Sequence, residues 1–206
     1  MKNPLRYQIS EYDCGPTSML NAISFLFERA EIPPEVIRNI MLYSLDSYNA
    51  EGVSGKSGTS RAAMMFLSNW LNGFGEVGQL SISSQYLSGE CVYVGEGGYI
   101  NDALRRGGAV VVRLFLDEPH YVLLTGEQDG KILVFDPYLL EATVELEGVE
   151  MVSDHPYQYN RIISPCLFNQ ETTQPYAFGP VQLREAVLIF NEKTKLTEEN
   201  TVEYFI

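Results

Sequence analysis

The sequence predicts an α+β domain in which N-terminal helices pack on a C-terminal antiparallel β-sheet. Apolar residues recur at helical spacing in the first part of the chain, whereas the second half holds runs of β-branched and aromatic residues separated by turn residues. No internal repeat and no linker composition divides the chain. Its 206 residues, 45% of them apolar, are enough for one sizeable core, so we expect residues 1–206 to form a single domain.

Four helices are predicted from apolar periodicity and from start and stop residues. Asp13 is a suitable N-cap for the first helix, and Pro16 is tolerated in its first turn because early amides have no helical partner. The Pro33–Pro34 pair separates the first helix from the second, and Thr59 or Ser60 caps the third. The predicted helices are 14–30, 35–43, 60–71 and 99–108, the last of them ended by glycines.

Strands are predicted where β-branched and aromatic residues cluster between turn residues. The segment EQDG, residues 127–130, is typical of a tight hairpin loop between two of these strands. A stretch rich in Pro and aromatic residues, 164–180, shows neither the helical nor the strand period. The predicted strands are 91–94, 109–116, 120–126, 131–136, 143–147 and 184–192.

Composition narrows the class of protein. A formal net charge of −13 argues against a nucleic-acid or anionic-membrane partner, because phosphate binding needs clustered Lys and Arg. Residues 1–10 lack the apolar core of a secretory signal, and no apolar run is long enough to span a membrane. The cysteines at 14, 91 and 166 are odd in number and widely spaced, which disfavours a disulfide framework and a zinc site. We therefore expect a reduced, soluble, cytoplasmic protein without a cofactor.

One short motif points to nucleotide binding but lacks its context. The segment AEGVSGKS, residues 50–57, fits a relaxed phosphate-loop pattern, and 132–136 resembles the acidic strand that positions magnesium. A phosphate loop needs a strand entering it, so that successive amides converge on the phosphates. Residues 37–49 instead predict a helix and a turn. We therefore interpret 50–57 as a loop before the third helix.

Cys14 stands where an irregular polar stretch gives way to a helix. Helix N-termini favour a reactive thiolate, and the backbone amide of such a residue points where an oxyanion would form. The alternative is a small buried hydrophobe. A nucleophilic cysteine needs a base, and His120 opens a predicted strand directly after Pro119. His155 lies in a polar stretch that favours a solvated or capping role.

A histidine base also needs an acceptor that orients it, and Asp136 ends the next predicted strand. A connection of three or five residues centred on Gln128 would make positions 120 and 136 directly opposite, with Cβ atoms about 4.5–5.5 Å apart. A slip of one residue would send the two side chains to opposite faces. Gln8 lies six positions before Cys14, and its side-chain amide is a candidate second oxyanion donor. Taken singly, a strand-end histidine and an Asp-Pro turn are also common without catalysis.

These segments resemble the peptidase C39 group of papain-like proteases, which includes the bacteriocin-processing, double-glycine peptidases. Residues 8–20, QISEYDCGPTSML, are similar to the cysteine box of that group, and residues 103–138 are similar to its histidine box. The GTS at 58–60 resembles the start of the family's third helix. The similarity covers 7–30 and 99–138 well and the region between them loosely.

The resemblance implies a papain-like fold with Cys14 as nucleophile, His120 as base, Asp136 as its orienting residue and Gln8 in the oxyanion hole. It also implies a peptide or protein substrate. Many bacteriocin-processing members are fused to a membrane transporter, and this chain has no such segment, so it is nearer the standalone relatives. Residues 139–206 lack a counterpart in the match, and we expect them to form a divergent part of the same domain. Two other functions stay open: an acyl- or peptidyl-transferase using the same thioester chemistry, and a non-catalytic peptide-binding module.

Overall fold

A computed structural model describes residues 1–139 and 146–197. These residues form four α-helices and a seven-stranded sheet, which confirms the predicted α+β class. The helices are α1 (Cys14–Leu26), α2 (Pro34–Tyr43), α3 (Arg61–Glu76) and α4 (Tyr99–Arg105). The strands are β1 (Ile82–Ser88), β2 (Ala109–Leu116), β3 (Glu118–Gln128), β4 (Lys131–Phe135), β5 (Val149–Met151), β6 (Arg161–Ile163) and β7 (Glu185–Asn191).

The sheet has the strand order β1-β7-β2-β3-β4-β6-β5, and each pair of neighbours is antiparallel. Its central strands are buried on both faces, because alternate residues of a strand point to opposite sides. Val111 and Leu123 belong to the core shared with α1, α2 and α3. Val112 and Val122 belong to a second core, which α4 and the 164–180 segment cover. The N-terminal helices therefore pack on one face as predicted, and a second layer covers the other face.

The helices begin where the sequence predicts and differ mainly in where they end. The Ser60 hydroxyl caps α3 by accepting from the Ala63 amide at 3.1 Å, and α3 continues to Glu76, beyond the predicted residue 71. Asp13 occupies the predicted position before α1, but its side chain makes no capping hydrogen bond, contrary to the prediction. Its carboxylate instead accepts hydrogen bonds from the Ile9 and Ser10 amides of the preceding loop.

The predicted strand at 91–94 is wrong. Residues Gly89–Cys91 form a 3₁₀ turn, and the chain then runs without a strand partner through Val94. The side chain of Asn169 accepts from the Val94 amide at 3.0 Å and donates to its carbonyl at 2.6 Å. These two bonds pair the backbone of the buried Val94 as a neighbouring strand would, so this residue is buried without sheet pairing.

Three strands escaped sequence-based prediction. The first is β1, whose polar sequence ISSQYLS lacks a clear apolar alternation but pairs along its whole length with β7. The others, β5 and β6, are three residues each, too short for a periodic pattern. The strand predicted at 143–147 lies largely outside the described residues.

Residues 50–57 lie in the loop between α2 and α3, and a helix rather than a strand precedes that loop, as the sequence predicts. Across the described ranges, none of the helices combines the length and the apolar character that crossing a bilayer requires.

Candidate active site

The β3–β4 hairpin turns on two residues, Asp129 and Gly130, which both have positive φ angles, 51° and 74°. This is the backbone of a type I′ turn, for which Asp-Gly is a preferred sequence. Gln128 and Lys131 are the flanking pair. The predicted connection of three or five residues centred on Gln128 is therefore wrong. The observed connection has two residues and is centred between Asp129 and Gly130, where the backbone takes positive φ angles.

A β-bulge in β3 shifts the pairing register that this turn would otherwise impose on β3 and β4. With the turn alone, Leu123 would lie opposite Asp136, and His120 would point to the other face. The pairing shifts by one residue between Leu124 and Gly126, so that Leu123 pairs with Phe135. Continuing this register, Asp136 lies opposite the residue two positions after His120. The two side chains are therefore diagonal neighbours on one face, and not directly opposite as predicted.

Asp136 is fully buried, at 0% exposure, and is surrounded by donors. Its Oδ1 accepts from His120 Nε2 at 2.8 Å and from the Tyr138 amide at 2.9 Å, and its Oδ2 accepts from the Tyr176 hydroxyl at 3.1 Å. The Asn160 side chain holds the Asp136 backbone, accepting from its amide and donating to its carbonyl, both at 2.8 Å. A buried carboxylate with this many donors stays fixed in position.

Sequence reasoning missed Asn160 and Tyr176, which lie 24 and 40 residues after Asp136. Tyr176 has a φ of 67°, a conformation that bulky residues rarely adopt. Backbone hydrogen bonds with Phe115 hold it there: the Tyr176 amide donates to Phe115, and the Phe115 amide donates to Ala177. The aperiodic 164–180 segment therefore reaches the His120–Asp136 pair by packing against β2.

His120 is buried between Asp136 and Cys14. Burial by itself lowers the pKa of His120, but hydrogen bonds with Asp136 and Cys14, and their negative charges, outweigh it and raise the pKa to about 10. Because the Nε2 atom of His120 is hydrogen-bonded to Asp136, Nδ1 is the ring nitrogen available to interact with Cys14. The raised pKa favours the imidazolium form of His120, between the Asp136 carboxylate and the thiol at the first residue of α1.

Two contacts hold the start of α1 against the rest of the site. The buried Ser18 hydroxyl, one turn after Cys14, donates to the Tyr121 carbonyl at 3.0 Å, next to His120 in the chain. Gly15 lets the 44–60 loop approach, since a Cβ there would lie 2.5 Å from Thr59 Oγ1. Both residues belong to the segment 8–20 that resembles the cysteine box. Ser18 fixes the position of α1 on β3, and Gly15 allows the close approach of the 44–60 loop.

Asp13 organises the loop that carries Gln8. Its carboxylate accepts from the Ile9 amide at 3.0 Å, the Ser10 amide at 2.6 Å and the Thr17 hydroxyl at 3.2 Å. Burial by itself raises the pKa of Asp13, but the hydrogen bonds from Ile9 and Ser10 outweigh it, so the pKa lies below its usual value. The carboxylate therefore stays ionised and keeps the loop folded at neutral pH.

Gln8 lines the same cleft as Cys14 and His120. Its backbone amide donates to the Pro137 carbonyl at 2.9 Å, and its side-chain Nε2 donates to the Ser10 carbonyl at 2.7 Å. An amide NH₂ has two hydrogens, so one remains for an incoming oxygen. Gln8 Oε1 is buried without a hydrogen-bond partner among the described residues, which leaves this amide less well satisfied than its neighbours.

The cleft over these residues has a volume of about 870 Å³. The 50–59 loop lines one side with Lys56 and Thr59, and the C-terminal region contributes Leu146, Val149 and Met151. Residues beyond 139 therefore contribute to the lining of the cleft. His155, for which the sequence favours a solvated or capping role, has a side chain that is 42% exposed and packs on the Tyr159 ring, with centroids 4.5 Å apart.

The other two cysteines, Cys91 and Cys166, are exposed and free, and Cys14 is free and buried. Within residues 1–139 and 146–197, no group of three or more His, Cys, Asp or Glu side chains has the arrangement of a metal site.

Comparisons with known proteins leave the family undetermined. No protein-family model matches the chain, and no curated protein matches it. Among solved structures, the crystal structure of the peptidase domain of Streptococcus mutans ComA is similar, with 13% sequence identity and a TM-score of 0.39. The alignment covers 91% of this chain and 98% of that domain. The similarity is distant, so the resemblance to the C39 group stays a prediction.

The charge state of His120 is directly measurable. We expect its ring signals to stay those of an imidazolium from pH 6 to pH 8, because its pKa is raised to about 10. In the Asp136→Asn variant, loss of the carboxylate charge moves the titration to lower pH. NMR of ¹³Cε1-labelled histidine measures both, and the His155→Gln variant assigns the two signals. A wild-type His120 that titrates near its ordinary pKa of about 6.5 would contradict the arrangement.

Proposed function

We propose that the protein is a cysteine peptidase with a papain-like arrangement of Cys14, His120, Asp136 and Gln8. One observation carries the proposal: a buried imidazole is held between a fully buried carboxylate and a thiol at a helix N-terminus, beside an open cleft. A structural histidine needs one acceptor, and it does not need a thiol beside it in an open cleft. A thiolate–imidazolium pair is the arrangement that nucleophilic catalysis by cysteine requires.

In the proposed mechanism the Cys14 thiolate attacks the carbonyl carbon of the scissile peptide bond. The imidazolium of His120 then donates its Nδ1 proton to the leaving amine as the C–N bond breaks, which leaves a thioester on Cys14. His120, now neutral, accepts a proton from water, whose oxygen attacks the thioester and releases the acid. Asp136 keeps the ring oriented and stabilises its charge throughout.

The oxyanion of each tetrahedral intermediate would accept hydrogen bonds from the Cys14 backbone amide and from the Gln8 side chain. The first amides of a helix lack intrahelical partners, and the positive end of the α1 dipole favours a negative charge there. Gln8 enters the mechanism through its second amide hydrogen, and the Asp13 bonds to Ile9 and Ser10 support its loop.

Cys14→Ala is expected to abolish peptide hydrolysis while leaving the fold intact, because a buried Cys accepts a small apolar replacement well. Hydrolysis of a tryptic digest of a mixed protein extract in H₂¹⁸O, followed by mass spectrometry, measures the loss and detects ¹⁸O in the new carboxyl groups. Cys91→Ala is the matched control. Equal hydrolysis by wild type and Cys14→Ala would contradict the proposal.

The same experiment separates the two alternatives. A thioester reacts with hydroxylamine to give a hydroxamate and with glycine amide to give an amide, each releasing the Cys14 thiol. A transferase would yield these products in preference to the acid. A peptide-binding module would retain peptides equally well with Cys14→Ala and would release no products from either protein.

A further inference from the structure

A buried carboxylate with two neighbouring guanidinium groups lies on the α1 side of the sheet, next to the cleft. Glu185, 1% exposed, accepts hydrogen bonds from the hydroxyls of Tyr86 and Tyr121, both at 2.9 Å. Arg61 Nε lies 3.9 Å from one of its oxygens, and an Arg113 terminal nitrogen lies 3.7 Å from the other. Because arginine stays protonated, one carboxylate between two guanidiniums leaves one positive charge in excess.

The two arginines are not equivalent. Arg61 is held by protein carbonyls, donating to Gln182 at 3.0 Å and to Arg184 at 2.9 Å. Arg113 has Glu185 as its ion-pair partner among the described residues, and 3.7 Å is longer than a hydrogen bond. Its side chain is 25% exposed and lines the cleft. The excess positive charge is therefore presented to the cleft by Arg113, with N–H donors available for an acceptor.

Arg113 is also close to the proposed nucleophile. It pairs directly with Tyr121, the residue after His120, and both lie on the face of the sheet that α1 covers. Burial, followed by the charge of Glu185, raises the pKa of Tyr121, Arg113 lowers it, and the charge of Cys14 raises it further. Tyr121 is thus near enough to both Arg113 and Cys14 to respond to their charges.

Besides Arg113 and the buried Cys14–His120 pair, the charged residues that line the cleft are exposed. Glu11, Asp117 and Glu118 are exposed, and so is Lys56, whose ammonium lies over the Tyr12 ring, 4.6 Å from its centroid. Water weakens the field of exposed charges, whereas a partly buried guanidinium acts through a lower dielectric. Arg113 therefore acts on the cleft through a lower dielectric than Glu11, Asp117 and Glu118 do.

We infer that Arg113 forms a subsite that binds a carboxylate of the peptide beside the scissile bond. The inference rests on the proposed function and gives it a substrate class, peptides that carry a carboxylate near the bond that is cut. A guanidinium matches a carboxylate in shape and can donate two parallel hydrogen bonds to it. The carboxylate has two possible sources, an Asp or Glu side chain or the C-terminus of the peptide.

The preference of this subsite for a carboxylate is measured by the rate of Cys14 alkylation with iodoacetate divided by the rate with iodoacetamide. Both reagents transfer a CH₂ group to the Cys14 sulfur, and they differ in that iodoacetate carries a carboxylate where iodoacetamide carries a neutral amide. For wild type we expect a ratio well above that of a free thiol, and for Arg113→Gln a ratio lower on the order of tenfold. Arg113→Lys, which keeps the charge, should give an intermediate ratio.

Lys131→Gln is the control for net charge, since Lys131 lies at the far end of the β3–β4 hairpin. Circular dichroism and thermal unfolding of each variant check the fold, and Glu185 keeps Arg61 and both tyrosine hydroxyls in Arg113→Gln. An unchanged ratio in Arg113→Gln overturns the inference, and so does an equal fall in Lys131→Gln. Slow alkylation of wild-type Cys14 by iodoacetamide at pH 6 would instead contradict the proposed function, so the two failures are distinguishable.

Cleavage of peptide libraries identifies the source of the carboxylate. Libraries of identical sequences with free or amidated C-termini are digested by wild type and by Arg113→Gln. Cuts clustered near Asp and Glu in both libraries indicate a side-chain carboxylate, and cuts near the end of free-acid peptides alone indicate the C-terminal carboxylate. Cuts by wild type that ignore nearby carboxylates would overturn the inference.

Discussion

Replacing His120 by alanine is expected to slow alkylation of Cys14 at pH 6 by about a hundredfold, since an ordinary thiol with a pKa near 8.5 is scarcely ionised there. The wild-type imidazolium persists at this pH because hydrogen bonds with Asp136 and Cys14 raise the pKa of His120 to about 10 despite its burial. The second-order rate with iodoacetamide, followed from pH 5 to pH 9 by mass spectrometry of the Cys14 peptide, measures the effect. In the variant the rate should rise steadily with pH, whereas in wild type it should already be high at pH 6.

His155→Ala is the matched control, because His155 is the second of the two histidines in the chain and is not among the residues that line the cleft. Its pH profile should coincide with that of wild type. Coincident profiles for His120→Ala and wild type would mean that the imidazole does not activate the thiol, and the proposed mechanism would then be wrong.

Replacing Asp136 by alanine is expected to lower peptide hydrolysis by at least about a hundredfold and the free energy of unfolding by about 3 kcal/mol. The carboxylate is completely buried, and its removal leaves the donors of His120, Tyr138 and Tyr176 without their acceptor. Buried donors without partners are costly, and a histidine without its acceptor loses its orientation. Urea denaturation and hydrolysis rates at pH 7 measure the two effects.

Asp136→Asn separates catalysis from stability, since the amide keeps the shape and one accepting oxygen but loses the charge. We expect it to recover much of the lost stability and little of the lost activity. Asp154→Asn, at an exposed position beside His155, is the control and should change neither. Full activity in Asp136→Asn would indicate that the carboxylate has a structural role alone.

Local patterns predicted much of the fold. The starts of α1 and α3 and the limits of β2 follow from apolar periodicity and boundary residues, which act within a few residues of each other. The prediction failed at 91–94, where the Asn169 side chain rather than a neighbouring strand pairs with the backbone of the buried Val94. It also failed at β1, whose pairing with β7 joins residues about a hundred positions apart. No local period records such a partner.

The candidate site also has features that local patterns predict and features that depend on partners distant in the chain. The sequence by itself determined the reactive residue types and their local settings: a cysteine at a helix start, a histidine near the start of a strand, and an aspartate directly after the next. It did not determine that they meet. An Asp129–Gly130 turn alone would put His120 and Asp136 on opposite faces, and a bulge between Leu124 and Gly126 restores the shared face.

Only the tertiary structure decided the surroundings of these residues. Ser18 positions α1 on β3, and Asn160 and Tyr176 hold Asp136 by hydrogen bonds. The ion pair of Glu185 and Arg113 lies beside the cleft. Each of these contacts joins residues far apart in the chain. The physical reason is that side-chain periodicity and capping depend on neighbours within one or two turns, whereas register and charge pairing depend on which elements pack together.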